Sequence, residues 1–209
     1  VTEDPKYIRA VNAILLHVAS SDISYWQGPE YPNRPRTLTY HGQVLPAGEL
    51  ETAAIVMGIC TAYDWCYSWL DVPVRYKLID ALREKGHPLL RNSILFQSEN
   101  WVMNHLCVLS SAFTLSSFLL RAEGNDIEQD LALARRGLNL WMDKLEYDGS
   151  YGEFYHYWAY PTNCLFFGLY AFQTMEGAVP ENTHRIAGAF QTHRHRALHC
   201  SFHIKVQAV

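Results

Sequence analysis

The chain has 209 residues, 49% of them apolar and 18% charged, and a formal net charge of −4. That length accommodates one domain with a sizeable core rather than two large ones, and the composition excludes the disordered and fibrous classes. A mildly acidic chain lacks the basic field that a phosphate backbone demands, so no nucleic-acid partner is expected.

Pro5 to Ala19 reads as a helix, because Ile8, Val11, Ile14, Leu15 and Val18 recur at helical spacing. Residues 20–48 then break into a long loop rich in Pro, Gly, Tyr and Asn. Such loops in compact domains are functional or disordered, and Tyr25, Trp26, Tyr31, Arg34, Arg36, Tyr40 and His41 are an odd composition for disorder. From Glu49 to Leu70 runs a helix apolar on nearly every side. Pro73 to Lys85 follows as an amphipathic helix, with Pro73 near its start and Gly86 as its stop.

Ser98, Glu99, Asn100 and Trp101 open a second all-round apolar helix, expected over about residues 100–120 and closed by Gly124. Ile127, Leu131, Ala134, Leu138, Trp141 and Leu145 form the one-sided stripe of a surface helix, with Asn125 or Asp126 as N-cap. A third apolar helix is expected from about Tyr157 to Met175. After Val179 the periodicity fades into a histidine-loaded tail.

No run reaches the roughly 18–20 uncharged apolar residues of a bilayer span, so no membrane span is expected. The start at Val1, without methionine, suggests a processed or excised piece. Of the five cysteines, Cys60, Cys66, Cys107 and Cys164 sit inside apolar helical patterns, where a free thiol behaves as a small hydrophobe. Their spacing fits no zinc motif, and His193, His195, His199, Cys200 and His203 lack a second ligand pair. No metal and no cofactor are expected.

Buried and half-buried helices alternate, which two layers of helices satisfy, the all-apolar set inside. Consecutive antiparallel hairpins place the inner helices parallel and bring the entrances at Gly48, Asn100 and Tyr157 side by side. The expected fold is all-α: an incomplete (α/α) toroid over residues 1–179, with residues 180–209 a tail of uncertain structure. An irregular bundle fits the same pattern.

The densest cluster of polar aromatics is DGSYGEFYHYWAYPTN, starting at Asp148, at the mouth of the third apolar helix. Polar aromatics there need hydrogen-bond partners or a ligand. Together with AYDWCYSWL, VPVRYKLIDAL and SENW, this segment resembles the helical toroid domain of the heparinase II/III-like group, polysaccharide lyases and the related dermatan sulfate epimerase. The resemblance covers roughly residues 45–175. It implies an acidic polysaccharide substrate, C5-proton abstraction from a uronic acid residue, a periplasmic or secreted location, and a β-sandwich domain after the toroid. It also places a further part of the toroid, with a catalytic histidine, downstream of this sequence.

By position in the resemblance, Tyr157 corresponds to the catalytic tyrosine and Asn100 to the residue binding the uronate carboxylate. His105 is a second catalytic candidate. The chemistry fits these residue types: an amide at a helix N-terminus offers a donor to the carboxylate, and a phenol activated by positive charge takes the proton. Trp101, Asn104, Glu153, His156, Tyr160, Trp26, Arg34, Arg36 and His41 complete the expected binding surface, by stacking and by carboxylate or sulfate recognition. The structural readings stand beside these: a packed tyrosine at 157, an N-cap at Asn100, a core histidine at 105, and loop aromatics that pin their own loop. The expected reaction is β-elimination. C5 epimerisation, glycoside hydrolysis through Glu153 with Asp148 or Glu99, and carbohydrate binding without catalysis are the rivals.

Overall fold

The computed structural model describes residues 4–28, 36–153 and 155–186, with the side chains of Tyr155 and His156 excluded. The architecture is all-α, with one small hairpin. In order come α1 (Pro5–Ser20), α2 (Ile23–Gln27), β1 (Thr37–Tyr40), β2 (Gln43–Pro46), α3 (Leu50–Cys66), α4 (Val72–Ala81), α5 (His87–Asn100), α6 (Asn104–Ala122), α7 (Glu128–Met142) and α8 (Tyr155–Glu176).

The core forms around α6, which packs against α3, α5, α7 and α8. A helix covered on all sides cannot carry large residues all round, and α6 alternates Leu106, Leu109 and Phe113 with buried Ser110, Ser111, Thr114, Ser116 and Ser117. Four of these hydroxyls donate to carbonyls three or four residues back, Ser111 to Cys107 and Thr114 to Ser110 both at 2.8 Å, so their burial leaves few polar groups unmet. The small side chains also admit close neighbours. A Cβ at Gly137 of α7 would fall 2.1 Å from Ser110 Oγ, and one at Gly168 of α8 would lie 3.4 Å from Ser111 Cα. In length and hydropathy α6 could cross a bilayer; here it is the central core helix.

Contacts at both ends fix the directions of three helices. At one end the α3 N-cap, Glu49, meets His105 in the first turn of α6, and Asn104 meets Glu153 just ahead of α8. At the other, Tyr63 late in α3 donates to Glu123 at 2.8 Å, and Arg121 late in α6 pairs with Glu176 at 3.4 Å. Starts meet starts and ends meet ends, so α3, α6 and α8 run parallel. The returning helices α5 and α7 pack on α6 and on each other, while α1 pairs with α4.

A buried polar staple joins α5, α6 and α7. His87 Nδ1 lies 2.8 Å from Ser116 Oγ, its Nε2 lies 3.1 Å from Asp130 Oδ2, and its ring stacks on Phe113 with centroids 4.2 Å apart. Arg91 Nε donates to the other Asp130 oxygen at 2.9 Å. Burial alone would raise the Asp130 carboxyl, but the hydrogen bonds and charges of His87 and Arg91 outweigh it and hold the group below its ordinary value.

Several expectations are corrected. The segment expected as one long loop holds α2 and a hairpin pairing Thr37 with Pro46 and Tyr40 with Gln43. Its turn is His41-Gly42, both with positive φ (48° and 78°), as a two-residue primed turn requires. Gly86 does not end a helix: α4 continues through a π turn, Leu82–Gly86, into α5. Gly86 is there because a Cβ would meet the Trp26 ring and Val56 at 2.7 Å each. The second apolar helix starts at Asn104, not Asn100. Asn125 does not cap α7; its backbone and side-chain N–H groups both donate to Leu120 O, closing α6 with Gly124 at φ 85°. Beyond Val179 the chain still packs, through a 3₁₀ turn (Glu181–Arg185) whose Asn182 N–H donates to Asn139 of α7 at 3.1 Å.

Gly86→Ala is therefore expected to destabilise by about 1–3 kcal/mol despite alanine's better helix propensity, because Trp26 and Val56 are buried and cannot yield. Gly58→Ala, at an exposed position of α3 with nothing within 4 Å of the new Cβ, should stabilise by about 0.5–1 kcal/mol. Thermal unfolding of the two variants should shift in opposite directions.

Candidate functional site

The parallel run of α3, α6 and α8 gathers three helix N-termini at one mouth, where unpaired N–H groups and dipole ends favour anions. The approach to α3 is pinned first. Ser93 of α5 donates to Gly48 O at 2.7 Å and accepts from Gly48 N–H at 3.1 Å. Gln27 Nε2 donates to Arg36 O at 2.6 Å and Ala47 O at 3.0 Å, so the hairpin base is clamped to α2. Thr52 completes the corner, accepting from Glu49 N–H at 3.0 Å and donating to Trp26 O at 2.6 Å.

That corner sets the Glu49 carboxylate between a guanidinium and an imidazole. Its Oε2 lies 3.2 Å from Arg36 Nη1 and its Oε1 lies 3.1 Å from His105 Nδ1. The hydrogen bond to Glu49 raises the His105 pKa above the ordinary histidine value; burial opposes it, the charges of Glu49 and Glu153 add to it, and Arg36 subtracts. His105 is half-buried, so one side remains open to a ligand. Beside it, buried Asn104 donates to Glu153 Oε2 at 2.6 Å, and Tyr151 donates to Glu153 Oε1 at 3.0 Å. Burial first, then the neighbouring carboxylate, pushes the Tyr151 phenol far above its usual value, which makes it a donor and not a base.

The turn before α8 holds by its own hydrogen bonds. Asp148 Oδ1 accepts from Ser150 N–H at 2.9 Å, Gly149 takes φ 77°, and Trp158 Nε1 donates back to Gly149 O at 3.1 Å. Tyr157, next to that anchor, is 58% exposed. Pro161 lacks the N–H that would otherwise meet the Tyr157 carbonyl, which loosens the helix ladder at this point. Tyr160, one turn on, is 45% exposed, and burial raises its phenol.

The expected site is thus partly assembled and partly redrawn. Asn104, His105, Glu153 and Arg36 are joined by contacts at the mouth. Asn100 is not at a helix N-terminus: it is the last residue of α5, exposed, its amide donating to Phe96 O one turn back at 2.8 Å. The pattern misled because SENW ends one helix, and a three-residue break, Trp101 to Met103, precedes the next. Trp101 is exposed in that break, its ring edge-on to Phe96 at 5.5 Å. Glu99 likewise sits at a helix C-terminus, where the dipole disfavours a carboxylate; Tyr40 donates to it at 2.7 Å and His41 Nε2 lies 3.0 Å away. Those bonds, Tyr40's foremost, lower the Glu99 pKa, and the same bond raises that of Tyr40. His41 therefore ties the hairpin tip to α5 and does not join the mouth cluster.

Trp26 is fully buried against Gly86 and Val56, a core residue and not a stacking platform. Arg34 and the His156 side chain lie outside the described residues, as does the histidine-rich tail beyond residue 186. Glu49 and Tyr151 were missed; the signal for Glu49 was a Glu-x-x-Thr pair at a helix start, a reversed capping box. Among the described residues no His, Cys, Asp and Glu group has the arrangement of a metal centre, and Cys60, Cys66, Cys107 and Cys164 are free thiols. Burial pushes the Cys60 thiol up to about 12, so it is unreactive.

A histidine whose folded pKa is raised contributes stability that is complete below its unfolded value of about 6.5 and is lost as pH rises through the folded value. NMR titration should place the His105 midpoint above the ordinary value, and Glu49→Gln should bring it down. Chemical denaturation should show a loss of stability on raising the pH across that window, and His105→Gln should flatten it. No protein-family model matches this chain, and a search of the curated proteins finds no match for it.

Proposed function

We propose that the chain is a domain of a uronate-directed polysaccharide lyase, an arc of an incomplete (α/α) toroid whose inner helices are α3, α6 and α8. The observation that carries the reading is the half-open His105 imidazole, held by Glu49 where three helix N-termini converge and with its pKa raised by that contact, together with an exposed Tyr157 on the first turns of α8. Removing a proton alpha to a carboxylate places a second negative charge on that group, and donors and cations aimed there lower the barrier. His105, with the N–H groups of the surrounding helix ends, takes the carboxylate in this reading. The Asn100 role expected from the sequence passes to Asn104, whose amide stands at the N-terminus of α6 and is oriented by Glu153.

The step then balances as follows. The Tyr157 oxygen takes the C5 proton, the C5–H pair becomes the C4=C5 double bond, and the C4–O4 bond breaks. The proton passes to the departing O4. A phenol of ordinary pKa near 10 needs positive charge close by to act as a base, a task this reading gives to His105.

Incubation with alginate, heparan sulfate, chondroitin and dermatan sulfate, followed by unsaturated-uronate absorbance, tests the assignment. New absorbance is expected with at least one of them. Tyr157→Phe should lower the rate by about 10²–10⁴-fold and His105→Gln by at least about tenfold, while Asn100→Ala should leave it unchanged. Deuterium uptake at C5 without cleavage would make the protein an epimerase, and reducing ends without absorbance a hydrolase. Binding without either would leave a carbohydrate-binding domain.

A further inference from the structure

Two thiols meet where α6 packs on α8, and the chemistry of the mouth uses neither. Cys107 lies on α6, two residues past His105, and Cys164 lies on α8, one turn past Tyr160. Cys107 is fully buried and Cys164 is 7% exposed, so both face the packed side of their helices.

The packing sets them opposite each other. A Cβ at Gly168 would lie 3.4 Å from Ser111 Cα, so the two Cα atoms there are within about 5 Å of each other. Cys107 and Cys164 each stand four residues before that contact, one turn toward the mouth on two parallel helices. At the angles at which helices cross, one turn adds no more than about 2 Å to that separation. The result falls in the Cα range that a disulfide spans, roughly 4.4–6.8 Å. The Cys107 thiol marks the facing turn, because it donates to Pro161 O at 3.4 Å, one turn ahead of Cys164. Burial first, and then the Cys164 thiol beside it, raise the Cys107 pKa well above its ordinary value.

We propose that Cys107 and Cys164 are a redox pair that closes to a disulfide, tying the first turns of α6 to α8 directly beneath the mouth. The inference requires only these two helices and stands apart from the lyase reading. In this structure both are free thiols, the reduced state. Cys164 is the attacking thiol, since it is the less buried and lies beside the half-exposed Tyr160. Its thiolate displaces one thiol from a small disulfide such as oxidised glutathione, which leaves a mixed disulfide. The Cys107 thiolate then attacks the Cys164 sulfur and releases the second thiol. Two protein S–H groups and one glutathione disulfide become one protein disulfide and two glutathione thiols, which balances protons and electrons. Burial raises both thiols, so the exchange is slow in the closed domain and faster where the two helices open.

The test is refolding of the full chain in a glutathione redox buffer, blocking of the remaining thiols with N-ethylmaleimide, and peptide mapping by mass spectrometry. A cross-linked Cys107–Cys164 peptide pair is expected, and dithiothreitol should release it. The bond closes a loop of roughly 60 residues, so oxidation should raise the thermal midpoint by about 5–10 °C. Cys164→Ala should abolish both the cross-link and the rise while keeping helical circular dichroism, and Cys66→Ala should change neither. Thiols that stay free, glutathione held on Cys164 without a cross-link, or a bridge through another cysteine in place of this pair would overturn the inference.

Discussion

The burial of α6 on every side is the constraint from which the rest follows. A helix with neighbours all round must be narrow on some faces, and the run of serines and Thr114 supplies that narrowness, with every hydroxyl but that of Ser110 donating to the helix backbone. Gly137 of α7 is the counterpart, since a Cβ there would clash with the Ser110 hydroxyl, while one at Gly168 of α8 would just touch Ser111. With α3 and α8 packed on this core helix, the contacts at both ends hold α3, α6 and α8 parallel, which brings their N-termini to one mouth. The site is a consequence of how the core is filled, before any functional side chain is considered.

At that mouth the charges nearly cancel in pairs. Arg36 is cationic, Glu49 and Glu153 bring carboxylates, His105 holds its proton more firmly than an ordinary histidine, and the helix ends add positive potential. Glu49 decides the balance. Without it, a protonated His105 beside three dipole ends of the same sign would be disfavoured; with it, the imidazole keeps its proton above the ordinary histidine range. The corner built by Gln27, Thr52 and Ser93 has one evident effect, which is to hold that carboxylate still. The mouth therefore sets one imidazole and one guanidinium against two carboxylates at a convergence of helix N-termini.

How much of this was legible in the residues depended on the range of the interaction. The helices with strong periodicity were readable within a few positions, α8 and α1 best of all, because burial acts on every turn. The boundary at Asn100 was not, because a polar residue before an apolar run looks the same at the end of one helix as at the start of the next. Gly86 looked like a stop; its absence of a side chain serves Trp26, sixty residues earlier, and no local pattern carries that contact. The hairpin was present as TLTYHGQVLP, with alternation and a His-Gly turn, but was masked by the prolines and glycines before it. The convergence of helix entrances followed from layer logic. Which side chains meet there, Glu49 with His105 and Asn104 with Glu153, is a matter of ångströms and needed the fold.

Helix α8 joins the two ends of the argument. Its first turn belongs to the mouth, where Trp158 anchors it to the preceding glycine turn and Pro161 leaves the Tyr157 carbonyl without its helical donor. Its remaining length is a regular helix with one buried face and one face rich in exposed aromatic side chains. A proline at the junction separates these tasks, because a local change of geometry in the first turn is not passed down an interrupted hydrogen-bond ladder. Packing on α6 can therefore hold the helix from Cys164 onward while the turn bearing Tyr157 keeps a freedom of its own. The same residue that weakens the helix is what lets one element serve both as a structural wall and as the edge of a site.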